Sequence, residues 1–504
     1  MVNKAPVLTG NVVYPGNEGY AEDRLIDNKR IDTWPQVIVF CEREEDVENA
    51  VRWAVHHKFP IRMRSGRHNY DGLCTADHAV ILDVSQMKTI TVDQTTETAE
   101  IQTGAKLAHV YQELFEHGYT IPGGTCPPVS IAGLTQGGGV GLSHRLMGLT
   151  CDSLLEATVV TADGQTVVAT ADNEHRDLLW ALKGGGGGNF GVVTRYKFKL
   201  HPIDKVAIFS ITWAWEDMAE VIKFWTKWAP ETDNRLTSYI RFHAKSQDPT
   251  KNSDSVVAIG QFVGTSQELM PVLEPLTRIG CPVDVTVKWV DYLDAVKHFA
   301  GELYSIDEEA WEKLAQSMGL AATTPDVLPL MKQVQLVQQA ADVRPHKFTV
   351  HYRKTEDAGG EPPRYKITSS FGREPFGEPA VETILAYLEG CPSEASFLSI
   401  HSLGGEMAKP REAAFAHRDK KMVLQLQAFW FEEQEDQRNI EWVERFRTAM
   451  LSYTEGAFVN FMDTGIADRD VSYYGGGFER LKEVKGKYDP QDVFSFEMSI
   501  PVKK

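Results

Sequence analysis

Five consecutive glycines, residues 184–188, stand between a helix-patterned stretch at 176–182 and a β-branched stretch at 192–200, with Asn189-Phe190-Gly191 at the join. Glycine loses more backbone freedom on folding than any other residue, so such a run is costly unless the backbone must turn sharply or approach something closely. A flexible linker is the other reading. Against it, a linker has no need of Asn-Phe-Gly and a β-branched strand directly after. Two further segments share this texture. One is Arg64-Ser65-Gly66-Arg67-His68-Asn69-Tyr70-Asp71-Gly72, after a predicted strand. The other runs from Pro122 to Gly141 and contains Gly123-Gly124-Thr125-Cys126-Pro127-Pro128-Val129, Gly133 and Gly137-Gly138-Gly139. Read from the residues alone, the first is either a tight surface turn or a nest of backbone N–H groups suited to an anion such as a dinucleotide pyrophosphate. In the second, the many glycines make sense where backbone wraps an extended ligand. None of the three is the strand–GxGxxG–helix fingerprint of nicotinamide dehydrogenases, because Gly184–Gly191 follows a helix and precedes a strand. No GxxxxGK[ST] phosphate loop is present.

The formal charge of −18 disfavours a nucleic-acid surface, which needs a basic patch. Net charge of this size speaks to solubility rather than to fold. No apolar run approaches the ~20 residues that span a bilayer, so no membrane partner is expected. The six cysteines (Cys41, Cys74, Cys126, Cys151, Cys281, Cys391) form no CxxC pair, which suits neither a zinc site nor a disulfide framework, and no metal site is expected. Residues 1–20 lack a basic region followed by an apolar core, and the expected compartment is cytoplasmic. Nothing in the pattern assigns an oligomeric state.

At 504 residues the chain exceeds the size of a single core. Short strands at 37–41, 61–64, 79–84, 99–103, 156–161, 166–169 and 192–200 alternate with helices at 44–56, 106–117 and 176–182. The first of these helices places Val47, Val51, Ala54 and Val55 on one apolar face. From 205 glycine thins out. Strands at 208–215, 236–244, 256–264, 285–289 and 422–431 and helices at 216–228 and 439–450 predict an antiparallel sheet with crossing helices. The fold class is therefore α+β in two lobes: residues 1–204 and a returning 456–504 segment form one, and an inserted 205–455 α+β domain forms the other. Aromatic residues of the middle region (Trp213, Trp215, Tyr239, Trp289, Tyr292, Tyr352) either stack against a sugar-like substrate or fill a core.

Taken together, the three glycine segments and a C-terminal set, Tyr473-Tyr474-Gly475, Arg480-Leu481, Val484-Lys485, Tyr488-Asp489-Pro490 and Ser499-Ile500-Pro501, resemble the berberine-bridge-enzyme-like FAD-linked oxidases. That family belongs to the vanillyl-alcohol-oxidase, or PCMH-type, flavoproteins. The resemblance implies FAD attached twice, through His68 to the 8α carbon of the flavin and through Cys126 to the ring's 6-position. It assigns further FAD contacts to Arg64, Ser65, Gly66, Arg67, Asn69, Val129, Gly133, Gly137, Gly138, Gly139, Gly188, Asn189, Gly191, Val193 and Tyr474. Valine at 129 occupies the family's oxygen-gate position, where valine goes with oxidases and leucine with dehydrogenases. Dioxygen is thus the expected acceptor and hydrogen peroxide the product.

Flavin oxidation of an alcohol also needs a base within hydrogen-bond reach of the hydroxyl. Carbohydrate-oxidising relatives commonly supply a tyrosine that closes an A-Y-x-N-Y motif. Here that stretch is Ala457-Phe458-Val459-Asn460-Phe461, and a phenyl ring accepts no proton. Val140, Leu134 and Gly477 also depart from the family pattern. The candidate catalytic residues are Tyr70, two positions after His68, and Gln425 and Gln427, on one face of a predicted strand, with His144 a looser candidate. The expected activity is oxidation of a hydroxyl group of a sugar or other small molecule. A flavin dehydrogenase, a tailoring enzyme of secondary metabolism and a flavin-carrying protein without turnover are the alternatives.

Overall fold

The computed structural model describes residues 6–304 and 363–503. The first sheet joins β1 (Asn11–Val13), β2 (Val37–Phe40), β3 (Ile61–Arg64) and β4 (Val80–Asp83) in the order β1-β2-β4-β3, with β2 and β3 both parallel to β4. Residues Val37–Phe40 are an unbroken apolar run because this interior strand, antiparallel to β1 and parallel to β4, is covered on both faces, and all four are buried. The helix Glu44–His57 packs on this sheet through Val47, Ala50, Val51 and Ala54. Val55, expected on the same face, is 36% exposed. Positions 47, 50, 51 and 54 follow the i, i+3, i+4, i+7 stripe, whereas Val55 lies about 80° round the helix from Val47, at the stripe's edge.

The second sheet has the order β5-β6-β10-β8-β9, from β5 (Ile90–Asp93), β6 (Thr98–Gln102), β8 (Leu154–Val160), β9 (Thr166–Thr170) and β10 (Val192–Lys199). A short ladder pairs β7 (Tyr119–Thr120) with β11 (His201–Pro202). The third sheet is seven-stranded and wholly antiparallel, as expected. It comprises β12 (Lys205–Trp213), β13 (Leu236–His243), β14 (Val256–Phe262), β15 (Asp284–Asp291), β16 (Arg364–Gly372), β17 (Phe397–Ser402) and β18 (Met422–Trp430), in the order β15-β12-β14-β13-β17-β18-β16.

Side chains on a strand alternate between faces, and in this sheet the alternation separates two kinds of chemistry. Ile240, Phe242, Leu398, Ile400, Leu424, Leu426 and Ala428 face one way. They form a core with Val221, Ile222 and Trp225 of the helix Met218–Trp228 and Trp442, Val443 and Phe446 of the helix Asp436–Met450. Trp225 is fully buried there, and truncating a core tryptophan to alanine costs about 3–5 kcal/mol. The intervening residues Tyr239, Arg241, Ser399, His401, Gln425, Gln427 and Phe429 face the other way, into a cavity.

The C-terminal residues Tyr473, Tyr474, Leu481, Val484 and Tyr488 share one core with Leu107, Tyr111, Leu178, Trp180 and Phe198 of the N-terminal region. Of the aromatic candidates in the middle region, Trp213 is core and Trp289 is exposed on β15. The Tyr292 hydroxyl accepts from Thr120. Tyr352 lies outside the described residues.

Candidate functional site

A cavity of about 540 Å³ lies between the glycine-rich loops and the polar face of the seven-stranded sheet, within the size range of small-molecule sites. Its walls include Arg64, Ser65, Gly66, Arg67, His68, Asn69 and Tyr70 from the first loop and Cys126, Val129 and Gly133 from the second. Gly188, Gly191 and Val193 come from the third, and Gln425 and Gln427 from β18.

The His68 loop is held at every step. Arg64 ends β3 and is fully buried, with Nε donating to the equally buried Asp83 carboxylate at 2.6 Å and Nη2 to the Asp23 carbonyl at 2.6 Å. Ser65 Oγ donates to the Thr103 carbonyl. Gly66 runs against the second loop so closely that an added Cβ would sit 2.8 Å from the Ser130 backbone nitrogen. Asn69 Oδ1 then accepts from the Leu73 N–H at 2.8 Å and closes the turn. The Cys126 loop is tied to the helix Leu107–Glu116: the Leu107 and Ala108 N–H groups donate to the Val129 and Pro127 carbonyls. Those are first-turn donors with no partner inside their own helix, so one contact satisfies the helix end and fixes the loop.

The five-glycine run is packed and not a linker. Gly184, Gly186 and Gly188 have φ of +114°, +84° and +81°, a region that side chains disfavour, and a Cβ on Gly184 would meet the Phe415 backbone at 2.5 Å. Asn189 is fully buried: its Nδ2 donates to the Gly185 and Gly186 carbonyls, and its Oδ1 accepts from the Ile500 N–H. The buried Lys485 ammonium donates to the Asn189 carbonyl, the Phe494 carbonyl and the Asp489 carboxylate.

Asn189, Gly137, Gly138, Gly139 and Tyr474 lie outside the cavity wall. Gly137 backs onto Asn460, Gly138 onto Phe415 and Gly139 onto Thr150, so these glycines allow close packing behind the wall. Tyr474 is buried beside Gly186, and its phenol is raised by burial. His144 is also outside the wall, fully buried, with Nδ1 facing the Gly141 carbonyl and Nε2 the Ser402 carbonyl.

On the sheet side, the Tyr70 hydroxyl accepts a hydrogen bond from Gln425 Nε2 at 3.2 Å. Its ring lies nearly parallel to Phe461 at 5.8 Å and edge-on to Tyr365 at 5.8 Å. Asn28 fixes the Tyr70 backbone, with Nδ2 donating to the carbonyls of both Tyr70 and Tyr365. Directly after Tyr70, Asp71 enters a buried charge cluster. Lys366 Nζ donates to Asp71 at 2.7 Å and to Asp463 at 2.6 Å, and Arg30 donates to the other Asp71 oxygen at 2.6 Å. Burial is the largest single influence and would raise the Asp71 carboxyl, but the Lys366 charge and hydrogen bond, the Thr464 N–H and the Arg30 charge together outweigh it and hold the group below the usual carboxylate range.

Asp27, Tyr365, Arg241 and His401 are among the cavity residues that escaped the site assignment made from sequence. Asp27 lies 3.7 Å from His68 Nδ1 and accepts from the Tyr365 hydroxyl at 3.0 Å. Burial pushes its carboxyl up, while the His68 interaction and the Tyr365 hydrogen bond more than offset this and keep it low. His401 stacks on Tyr239 with ring centres 3.8 Å apart, and burial, with help from His144 and Arg241, pushes its pKa down to about 3. It is neutral at ordinary pH. Asp27, Tyr365 and Arg241 carry no local motif. His401 has only the alternation of Phe397–Ser402, which six residues make too short to read with assurance.

The wall also shows where a ligand would lie. A Cβ on Gly133 would meet nothing within 4 Å, and those on Gly187 and Gly188 would meet only contacts at 3.5 Å or beyond, so bare backbone forms a cradle that side chains would fill. Beside it, Ser130 Oγ and Arg64 Nη1 are buried with no hydrogen-bond partner among the described residues.

Comparison with known proteins identifies the family. A family profile described as "FAD binding domain" matches residues 35–170, and one described as "Berberine and berberine like" matches residues 457–501. The uncharacterized FAD-linked oxidoreductase YgaK of Bacillus subtilis (strain 168) is 36% identical over 98% of this chain and 97% of its own. The Arabidopsis thaliana monolignol oxidoreductase AtBBE-like 13 is 28% identical over 93% of this chain and 84% of its own. Among solved structures, Physcomitrella patens BBE-like 1 superposes with a TM-score of 0.81 at 22% identity, covering 98% of this chain and 97% of that one. A chitooligosaccharide oxidase superposes with a TM-score of 0.79 at 22% identity, covering 98% of each. No helix among the described residues is long and apolar enough to cross a membrane. The chain belongs to the berberine-bridge-enzyme-like family of FAD-linked oxidoreductases, built on the PCMH-type flavoprotein fold.

Proposed function

We propose that this protein is an alcohol oxidase whose FAD is attached covalently through both His68 and Cys126. The observation that carries the reading is the position of Tyr70. Its hydroxyl, hydrogen-bonded by Gln425, lines the same cavity as His68 and Cys126. Residues 1–204 with 456–504 form the FAD lobe, and residues 205–455 form the substrate lobe. The bare backbone at Gly133, Gly187 and Gly188 and the unpaired Ser130 and Arg64 donors fit FAD. Arg64, Ser65, Gly66, Arg67, Asn69, Val129, Gly191 and Val193 line its bed, while Gly137–139, Asn189 and Tyr474 shape that bed from behind.

Bound in this bed, FAD would supply a hydride acceptor for the carbinol carbon, with dioxygen as the final acceptor and hydrogen peroxide as the product. The protein's task is the proton and the orientation. Tyr70 takes the hydroxyl proton, directly or as a relay. Gln425 donates to the phenolic oxygen, and a donor there favours the charged form and so strengthens the acceptor. Gln427, on the same face of β18, orients the substrate. The stacked Phe397 and Phe429 rings and the phenyl ring of Phe461 give the substrate side a largely aromatic lining. Such a lining suits a hydroxyl-bearing molecule with an apolar body, and the relative named as a monolignol oxidoreductase supports that class. Val129, in the wall, leaves dioxygen a path.

A flavin-carrying protein without turnover has one observation on its side, the phenyl ring of Phe461 at the family's tyrosine position. Sugars, aliphatic alcohols and aromatic alcohols offered in turn separate the two readings. The oxidase reading expects flavin bleaching without oxygen and peroxide release with it for at least one class. Neither signal with any class supports the silent carrier.

A further inference from the structure

We infer that Asp27 is the positioning residue for attachment of the flavin to His68, and that Tyr365 on the substrate-side sheet holds Asp27 in that role. The inference rests on the reading of His68 as an attachment residue and goes beyond it to the group that makes the imidazole competent.

The geometry is local and specific. The Asp27 carboxylate lines the cavity beside His68, with Oδ2 3.7 Å from Nδ1. The same oxygen accepts from the Tyr365 hydroxyl at 3.0 Å. The Asp27 N–H donates to the Arg67 carbonyl at 3.2 Å, so its backbone is bonded to the residue before His68. The next residue, Asn28, accepts from the Tyr365 N–H and donates to the Tyr365 and Tyr70 carbonyls. Asp27 is thus held between the loop that carries His68 and the strand that carries Tyr365. No other carboxylate lines this cavity among the described residues.

Attachment joins a ring nitrogen of His68 to the 8α methyl carbon of the flavin. One C–H bond of that methyl group and one N–H bond of the imidazole are broken. The two electrons enter the flavin, and dioxygen removes them with two protons as hydrogen peroxide. As the C–N bond forms, the imidazole gains positive charge until its N–H proton leaves. A carboxylate at this distance stabilises that charge and accepts the proton. Opposite charges a few Å apart in a partly enclosed site interact strongly enough to change a rate by an order of magnitude or more. The Tyr365 hydrogen bond holds the carboxylate in place beside the ring.

The test uses the full chain with Cys126→Ala, so that His68 is the sole remaining attachment point. Total flavin per polypeptide is measured before acid precipitation, and covalent flavin after it. Asp27→Asn in that background is expected to keep its total flavin while the covalent fraction formed in a fixed time drops by about tenfold. Asp27→Glu should recover part of the loss, and Tyr365→Phe should give a smaller drop. An unchanged covalent fraction in the Asp27→Asn protein overturns the inference. Loss of total flavin in step with covalent flavin overturns it too, because Asp27 would then serve the fold and not the bond. Should Cys126→Ala alone carry no covalent flavin, the attachment reading fails first and this inference goes with it.

Discussion

Replacing Tyr70 by phenylalanine removes one oxygen and little else. The ring keeps its near-parallel contact with Phe461 and its edge contact with Tyr365, and Asn28 still holds the backbone carbonyl. The cavity gains only the volume of a hydroxyl, so the fold and flavin content should hold. What is lost is the proposed proton acceptor. A positioned general base contributes about 100- to 10,000-fold to a rate, and flavin reduction by the best alcohol substrate should slow by that much. Gln425→Leu is a graded companion. It removes one neutral hydrogen bond at 3.2 Å, worth about 1 kcal/mol, and should slow reduction roughly fivefold at 25 °C. Anaerobic stopped-flow absorbance reads both numbers on the flavin itself and excludes the oxygen step. A Tyr70→Phe protein that reduces its flavin within about threefold of wild type would refute the assignment, since no general base contributes so little.

Four further outcomes follow from the same geometry. Lys366→Met leaves the buried Asp463 without its ion-pair partner and Asp71 with Arg30 alone and should cost about 3–5 kcal/mol in chemical denaturation. A cost under ~1 kcal/mol would mean the cluster is already hydrated. Because the Asp71 carboxyl is held low in the folded state, its contribution is complete above the unfolded value near ~3.9 and is lost as pH falls through the folded one. Acid titration of stability should therefore show a loss below about pH 4 that shrinks in Lys366→Met. Gly66→Ala pushes a methyl group to 2.8 Å from the Ser130 nitrogen and should cost about 1–3 kcal/mol together with much of the bound flavin; normal flavin content would show that the loop yields. Val129→Leu narrows the wall and should slow reoxidation of the reduced flavin by about tenfold, or ~1.4 kcal/mol of barrier, while leaving the reduction rate alone. Equal reoxidation rates would remove Val129 from the oxygen path.

Much of the framework was legible because it depends on local pattern. The alternation in Met422–Trp430 placed Gln425 and Gln427 on one face, and both line the cavity. Ile61–Arg64 and Arg176–Leu182 occupy the bounds expected of them. The strands Arg364–Gly372 and Phe397–Ser402 were not anticipated. Buried serines and a lysine interrupt the first, as do Ser399 and His401 the second, and apolar periodicity cannot register a strand whose inner face is polar. The supporting contacts were out of reach for another reason. Asn28 meets Tyr365 across 337 residues, Asp27 meets the same tyrosine across 338, and Lys366 meets Asp71 across 295. No window of sequence joins such partners, so the loops could be read but not the residues that aim them.

The claim underneath all of this is that one flavin is bonded to the polypeptide at two points. Precipitating the protein in acid and measuring the flavin that stays with the pellet, for wild type, His68→Ala, Cys126→Ala and the double variant, tests it most directly. Wild type and both single variants should hold their yellow colour, and the double variant should release it to the supernatant. A wild-type pellet without colour, or a double variant that keeps it, would contradict the account.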